Sequence, residues 1–144
     1  MKKLILIMFL IPVLVFGQAD KKSFTELNIG VAAIDGYSFD DWFPGASLLF
    51  GQTFANDGIV TEYQIGIALP AIATGKLAIG AGDINKNIMF AVRPWPLSLG
   101  PQIKLGIFSA SFEVGFNNGI SFDAGFIATI GWRWQFGGQK KSVL

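Results

Sequence analysis

Apolar and polar residues alternate along most of this chain, and the longest such stretch is 119–136. Ile120, Phe122, Ala124, Phe126, Ala128, Ile130, Trp132, Trp134 and Phe136 fall on one face of an extended backbone. Ser121, Asp123, Gly125, Ile127, Thr129, Gly131, Arg133 and Gln135 fall on the other. A period of two over that length predicts a strand. The same reading predicts strands over 24–34, 46–54, 59–69, 74–81 and 87–93, each with an apolar row and a polar row. Asn56-Asp57-Gly58, the stretch 82–87 and Asn117-Asn118-Gly119 are turn signals. Three prolines in 94–101 predict a loop there, because proline cannot donate to a sheet ladder. Farther on, the apolar phase runs through Ile103, Leu105 and Ile107 and resumes at Ala110, Phe112, Val114 and Phe116. The slip near Phe108 and Ser109 is either a tight turn, giving eight strands, or a bulge, giving seven.

Charge sharpens the pattern. Eight charged residues lie within these strands, and all eight fall on the polar row: Glu26, Glu62, Lys76, Arg93, Lys104, Glu113, Asp123 and Arg133. The polar row also holds Gly30, Gly51, Gly66, Gly80, Gly106, Gly115, Gly125 and Gly131. Glycine weakens a strand exposed to water, but it suits the crowded interior of a small barrel, where backbones approach closely. Large aromatics, Trp132, Trp134 and Phe136 above all, stand on the apolar row near strand ends, as in an interfacial girdle. The polar row is therefore expected to face a narrow lumen and the apolar row to face lipid. With the backbone unable to leave an open edge in lipid, the sheet is expected to close. An even strand count is usual for bacterial barrels of this kind, which favours the turn near Ser109. The alternative is a soluble periplasmic or secreted barrel whose apolar row lines a pocket for a hydrophobic ligand.

Composition agrees with a lipid-covered surface. Charged residues make up 15% of the chain, against the roughly 25–35% of a typical soluble surface. Lys2 and Lys3 precede an apolar run over 4–16, the layout of a signal peptide, so 1–18 is expected to be a cleaved leader, 19–136 the barrel and 137–144 a polar tail. Without that leader nine basic residues face ten acidic ones, which offers no field for nucleic acid.

At Gly131-Trp132-Arg133-Trp134-Gln135-Phe136 the chain resembles the small bacterial outer-membrane β-barrel proteins, the group that includes OmpA-like and OmpX-like eight-stranded barrels. The resemblance implies an antiparallel up-and-down transmembrane barrel in the cell outer membrane, with lipid and the barrel assembly machinery as partners. It implies termini in the periplasm and the loops at 35–45, 70–73, 94–100 and 117–119 outside the cell. The chain departs from the pattern in continuing through 137–144 after the aromatic ending.

Candidate chemistry is sparse. Cysteine and histidine are both absent, which removes disulfides, Cys-His and Ser-His-Asp machinery and imidazole metal ligands. Gly119-Ile120-Ser121-Phe122-Asp123 lacks the last glycine of a nucleophile elbow, and Gly80-Ala81-Gly82 lacks a third glycine and a following helix. The four lumen carboxylates could include an acid and a base for glycoside chemistry, but equal numbers of acids and bases read more simply as mutual neutralisation. No cofactor, metal or enzymatic activity is expected. The candidate binding surface is the first long loop, with Asp35, Tyr37, Asp40, Asp41 and Trp42. Its acids could hold calcium and its aromatics could meet an extracellular partner or the membrane interface.

Overall fold

In the computed structural model, residues 19–34, 43–69, 72–115 and 124–139 are described. They form eight strands: β1 (Asp20–Ile34), β2 (Phe43–Asn56), β3 (Ile59–Leu69), β4 (Ile72–Gly82), β5 (Lys86–Arg93), β6 (Ser98–Leu105), β7 (Phe108–Gly115) and β8 (Ala124–Gln139). Each pairs antiparallel with the next, and β1 with β8, so the sheet closes into an up-and-down barrel.

The register fixes the geometry. The pairs Ser23–Gln52, Tyr63–Leu77, Val92–Leu99 and Val114–Phe126 follow one another around the wall, and Phe126 pairs with Ala33, ten residues beyond the start. A stagger of ten over eight strands tilts the strands about 40° from the barrel axis. An eleven-residue strand such as β3 then rises about 28 Å, close to the height of the apolar band on membrane barrels. Eight strands leave an interior just wide enough for side chains to fill.

Alternation along each strand puts the polar row inside. Glu26, Glu62, Lys76, Arg93, Lys104, Glu113 and Arg133 are all at most 4% exposed, while Ile65, Ile67, Leu77, Ile79, Ile88 and Ile130 stand 55–67% exposed on the outer wall. Close backbone approach is visible at Gly66, where a Cβ would overlap the carbonyl oxygen of Leu48 on β2.

Several boundaries depart from the sequence reading. The phase slip is a tight turn at Gly106–Ile107, with Gly106 at φ 64°, so Gly106 belongs to a turn and not to the inner row. The expected loop over 94–101 ends early, because β6 starts at Ser98 and takes in Pro101, which pairs with Phe90 of β5. The missing N–H is accommodated on the other side, where the β6–β7 pairing lapses between Leu99 and Gln102. β1 begins at Asp20, four residues before the expected start. β8 runs to Gln139, so the expected tail boundary at Gly137 falls inside a strand. Ser23 pairs with Phe136 and Lys22 with Gly138, leaving Gly137 at φ 60° as the extra residue of a bulge that lets pairing continue. The expected leader, Asp123 and residues 35–42 of the expected 35–45 loop lie outside the described residues, while 43–45 belong to β2, which starts three residues before the expected strand.

Candidate functional site

The lumen contains the chain's concentrated chemistry. Strand alternation aims the seven charged side chains of the described inner row at one another, and they gather into two clusters. In the first, Lys104 Nζ lies 2.7 Å from Glu26 Oε2 and 2.6 Å from Glu62 Oε1. Arg133 Nη1 approaches Glu62 Oε2 at 3.6 Å. In the second, Lys76 Nζ lies 2.7 Å from Glu113 Oε1 and Arg93 Nε 2.7 Å from Glu113 Oε2. Gln102 joins them, its Oε1 accepting from Lys76 at 3.4 Å and its Nε2 donating to Glu62 at 3.1 Å.

Neutral side chains complete the network. Thr53 donates to Glu62 Oε2 at 2.7 Å, and Gln64 also donates to Glu62. Ser98 donates to Glu113 at 2.9 Å, and Thr74 accepts from Arg93 and donates to the Trp95 carbonyl. Desolvating an ion costs several kcal/mol, and that cost is offset only when pairing is close and the remaining lone pairs are filled. Glu62 and Glu113 meet both conditions. Three carboxylates face four cations on the described part of the inner row, and Asp123, which the sequence puts on the same row, lies outside the described residues.

Between the charges sits an aromatic ring. Phe24, 1% exposed, carries Lys104 Nζ 4.2 Å from its centroid and the Arg133 guanidinium carbon at 5.3 Å. The ring's negative face contributes to holding both cations in this buried space. Farther round the wall Val60, Ala78, Met89 and Ala91 form an apolar cluster on the inner face of β3, β4 and β5. The polar pattern points to Gln64 and Gln102, which stand on the polar row. Phe24 stands on that row too but is aromatic, so nothing in the alternation marks it as a lumen residue.

The ends of the barrel differ. At the end with short turns, Arg133 Nη2 donates to the carbonyls of Ile84 and Gly106 at 3.2 Å each, and Gly106 N donates to the Asn85 carbonyl at 2.7 Å, drawing the β4–β5 turn across the mouth. Asp83 Oδ1 accepts the backbone N–H groups of Lys86 at 2.9 Å and Asn85 at 2.7 Å, which hold its carboxyl below the ordinary aspartate value. An open chamber of about 520 Å³ lies beside this turn, among Lys21, Lys22, Ile84 and Lys86. The opposite end is the one where β1 ends and β2 begins, and Asp35, Tyr37, Asp40, Asp41 and Trp42 are outside the described residues.

Trp132, Trp134 and Phe136 stand on the outer wall near the short-turn end, where Trp132 packs edge-on against Phe108 with centroids 5.8 Å apart. Phe54 and Tyr63 pair toward the same end, and Phe112 stacks on Phe126 toward the other. Among the described residues no group of three or more Asp or Glu side chains is placed to hold a metal ion. Comparison with protein-family models, with curated proteins and with solved structures found no match to this chain.

Proposed function

We propose that this chain is an integral outer-membrane β-barrel, held in the bilayer by its apolar wall and plugged by its lumen, with a structural or interaction-mediating role and no enzymatic activity. The observation that carries this reading is the inversion of a soluble protein. Charge is buried inside at 4% exposure or less while isoleucine and leucine cover the outside. A continuous apolar surface on that scale calls for a cover, and a bilayer is the cover whose thickness suits strands of this length and tilt. Aromatics toward both ends of the wall suit the two interfaces of that bilayer. The soluble alternative needs the apolar row on the inside, and that row is outside.

The network also argues for a plug. Glu62 and Glu113 are each engaged by cations and by hydroxyl or amide donors, so neither is free to act as a general base. Lipid and the barrel assembly machinery are the proposed partners, with extracellular contacts made through the long loops. The test is electrophoretic mobility of the refolded mature chain, cold against boiled, with and without micelles. A compact heat-sensitive band that needs micelles is expected. A monodisperse fold in plain buffer refutes the membrane assignment, and conductance well above background in a planar bilayer refutes the plug.

A further inference from the structure

The outer wall is not uniform. Hydroxyl and amide side chains point outward at Ser23, Thr25, Gln52, Asn56, Thr61 and Tyr63, all on β1, β2 and β3 and all toward the short-turn end. On β4 to β8, through Phe136, the described outward positions carry none. The same end is walled on the far side by Ile88, Leu105 and Phe108, which stand 52–63% exposed beside their own turns. Register makes the polar positions one patch. Gln52 pairs with Ser23 on one side and Tyr63 on the other, while Phe54, one row nearer the turn, pairs with Lys21 and Thr61. Ser23 and Thr25 in turn pair with Phe136 and Trp134 of β8, so the patch runs into the aromatic residues of the wall. Inside it Gln52 Nε2 donates to Ser23 Oγ at 3.2 Å, and Lys21 Nζ lies 5.8 Å from the centre of the Phe54 ring.

We propose that this patch binds an anionic glycerophospholipid of the leaflet at the short-turn end, with its phosphate on Lys21 and its ester carbonyls among the hydroxyl and amide donors of β1 to β3. This rests on the membrane reading above, which sets the patch against lipid at the level of the aromatic residues. The acyl chains then lie on the apolar wall beyond it, at Phe50 and Ile65, a rung that follows Gln52 and Tyr63 on the same two strands.

Donors and acceptors match. Ser23, Thr25, Thr61 and Tyr63 each bring a hydroxyl hydrogen, and Gln52 keeps a second amide hydrogen beyond its bond to Ser23. Such donors are costly against hydrocarbon, and a glycerophospholipid brings the acceptors they need in its phosphate and ester oxygens. Charge sets the class of head. Lys21 carries a positive charge to the border of the patch and the Phe54 ring helps to hold it there, so a phosphate without a compensating cation is favoured over a zwitterionic head. A second copy of the chain suits the patch less. A two-fold interface would lay it on itself, donors against donors and Lys21 toward Lys21.

The test is photolabelling of the full refolded chain in phosphatidylcholine vesicles, with a diazirine at the head end of one acyl chain of either phosphatidylglycerol or phosphatidylcholine. Adducts on Ser23, Gln52 and Thr61 at least fivefold stronger with the phosphatidylglycerol probe are expected, with equal labelling by the two probes at Phe108. Lys21→Gln should abolish that difference. Lys86→Gln, which removes a cation from the other side of the same end, should leave it. If Lys21→Gln fails to give the heat-sensitive band, the unaltered chain is labelled at high salt, where the difference should shrink at least twofold. Unlabelled phosphatidylglycerol with ether-linked chains, which lacks the carbonyl acceptors, should compete less well than the ester form. Equal labelling of the patch by both probes, a difference that survives loss of Lys21 or high salt, or one that Lys86→Gln also abolishes overturns the anionic site but leaves the membrane reading standing. Equal competition by the ether and ester forms overturns the placement of the carbonyls. A patch that neither probe labels while Phe108 is labelled means that protein, such as a second copy, covers it, and overturns the site. No adduct on any outward residue overturns the site and the membrane reading together.

Discussion

Thr129 and Ile130 are neighbours in β8, yet one belongs to a hydrogen-bonded interior and the other to an exposed apolar wall. Thr129 Oγ1 lies 2.8 Å from Ser111 Oγ inside the barrel, while Ile130 is 55% exposed. The same contrast repeats on every strand. The interior is specified by pairing, since each charge needs a partner at the right distance, whereas the wall is specified by composition, since any apolar side chain of fitting size will do. Substitutions should therefore be punished for different reasons on the two faces.

The largest effect is expected in the interior. Lys104→Met removes the shared cation of Glu26 and Glu62 and leaves buried carboxylates short of a partner, at a cost of about 3–5 kcal/mol. Urea unfolding of the refolded protein in micelles measures it, and a loss below 1 kcal/mol would mean that water reaches the cluster. On the wall, Ile130→Arg should cost about 2–4 kcal/mol if the residue faces lipid at mid-depth. The same assay applies, and a near-neutral result would place that face in water. Thr129→Lys, one residue away, meets a filled lumen and should fail by crowding, as overpacking does, at about 1–3 kcal/mol.

Phe24→Leu separates packing from cation–π attraction inside the lumen. Keeping most of the volume while removing the ring should cost about 1–2 kcal/mol, and it should do so less in a Lys104→Met background if the ring acts on that cation. The smallest effect concerns the turn over the mouth. The carboxyl of Asp83 is held below its unfolded value, so its contribution is complete above the unfolded pKa and lost as pH falls through the folded one. Wild type and Asp83→Asn should therefore converge in stability once the pH falls below the folded-state value and differ by no more than about 1 kcal/mol at pH 7, because the group is exposed.

Much of this was legible in the chain. Period-two alternation marks most strands, because side chains of an extended backbone point alternately to opposite faces. Placement of charge on a single row is likewise a property of sequence, whereas the slip near Ser109 allows a turn or a bulge, and the turn is favoured only by the even count usual for such barrels. The reading failed where one residue serves two neighbours differently. Pro101 bars a ladder bond on one side only, so it sits in β6 while paired to β5. Gly137 reads as the start of a tail and is the bulge that lets β8 go on. Phe24 looks misplaced on a polar row until Lys104 and Arg133 are seen against its ring.

What the sequence by itself determined was two-sidedness: extended segments, each with an apolar and a polar edge, because that depends only on local backbone geometry and residue order. Only the tertiary structure decided which charge meets which. Lys104 and Glu26 are 78 residues apart in the chain, and they touch because the sheet closes with a stagger of ten residues. Register between distant strands is a sum over all eight pairings, and no single strand's pattern contains it.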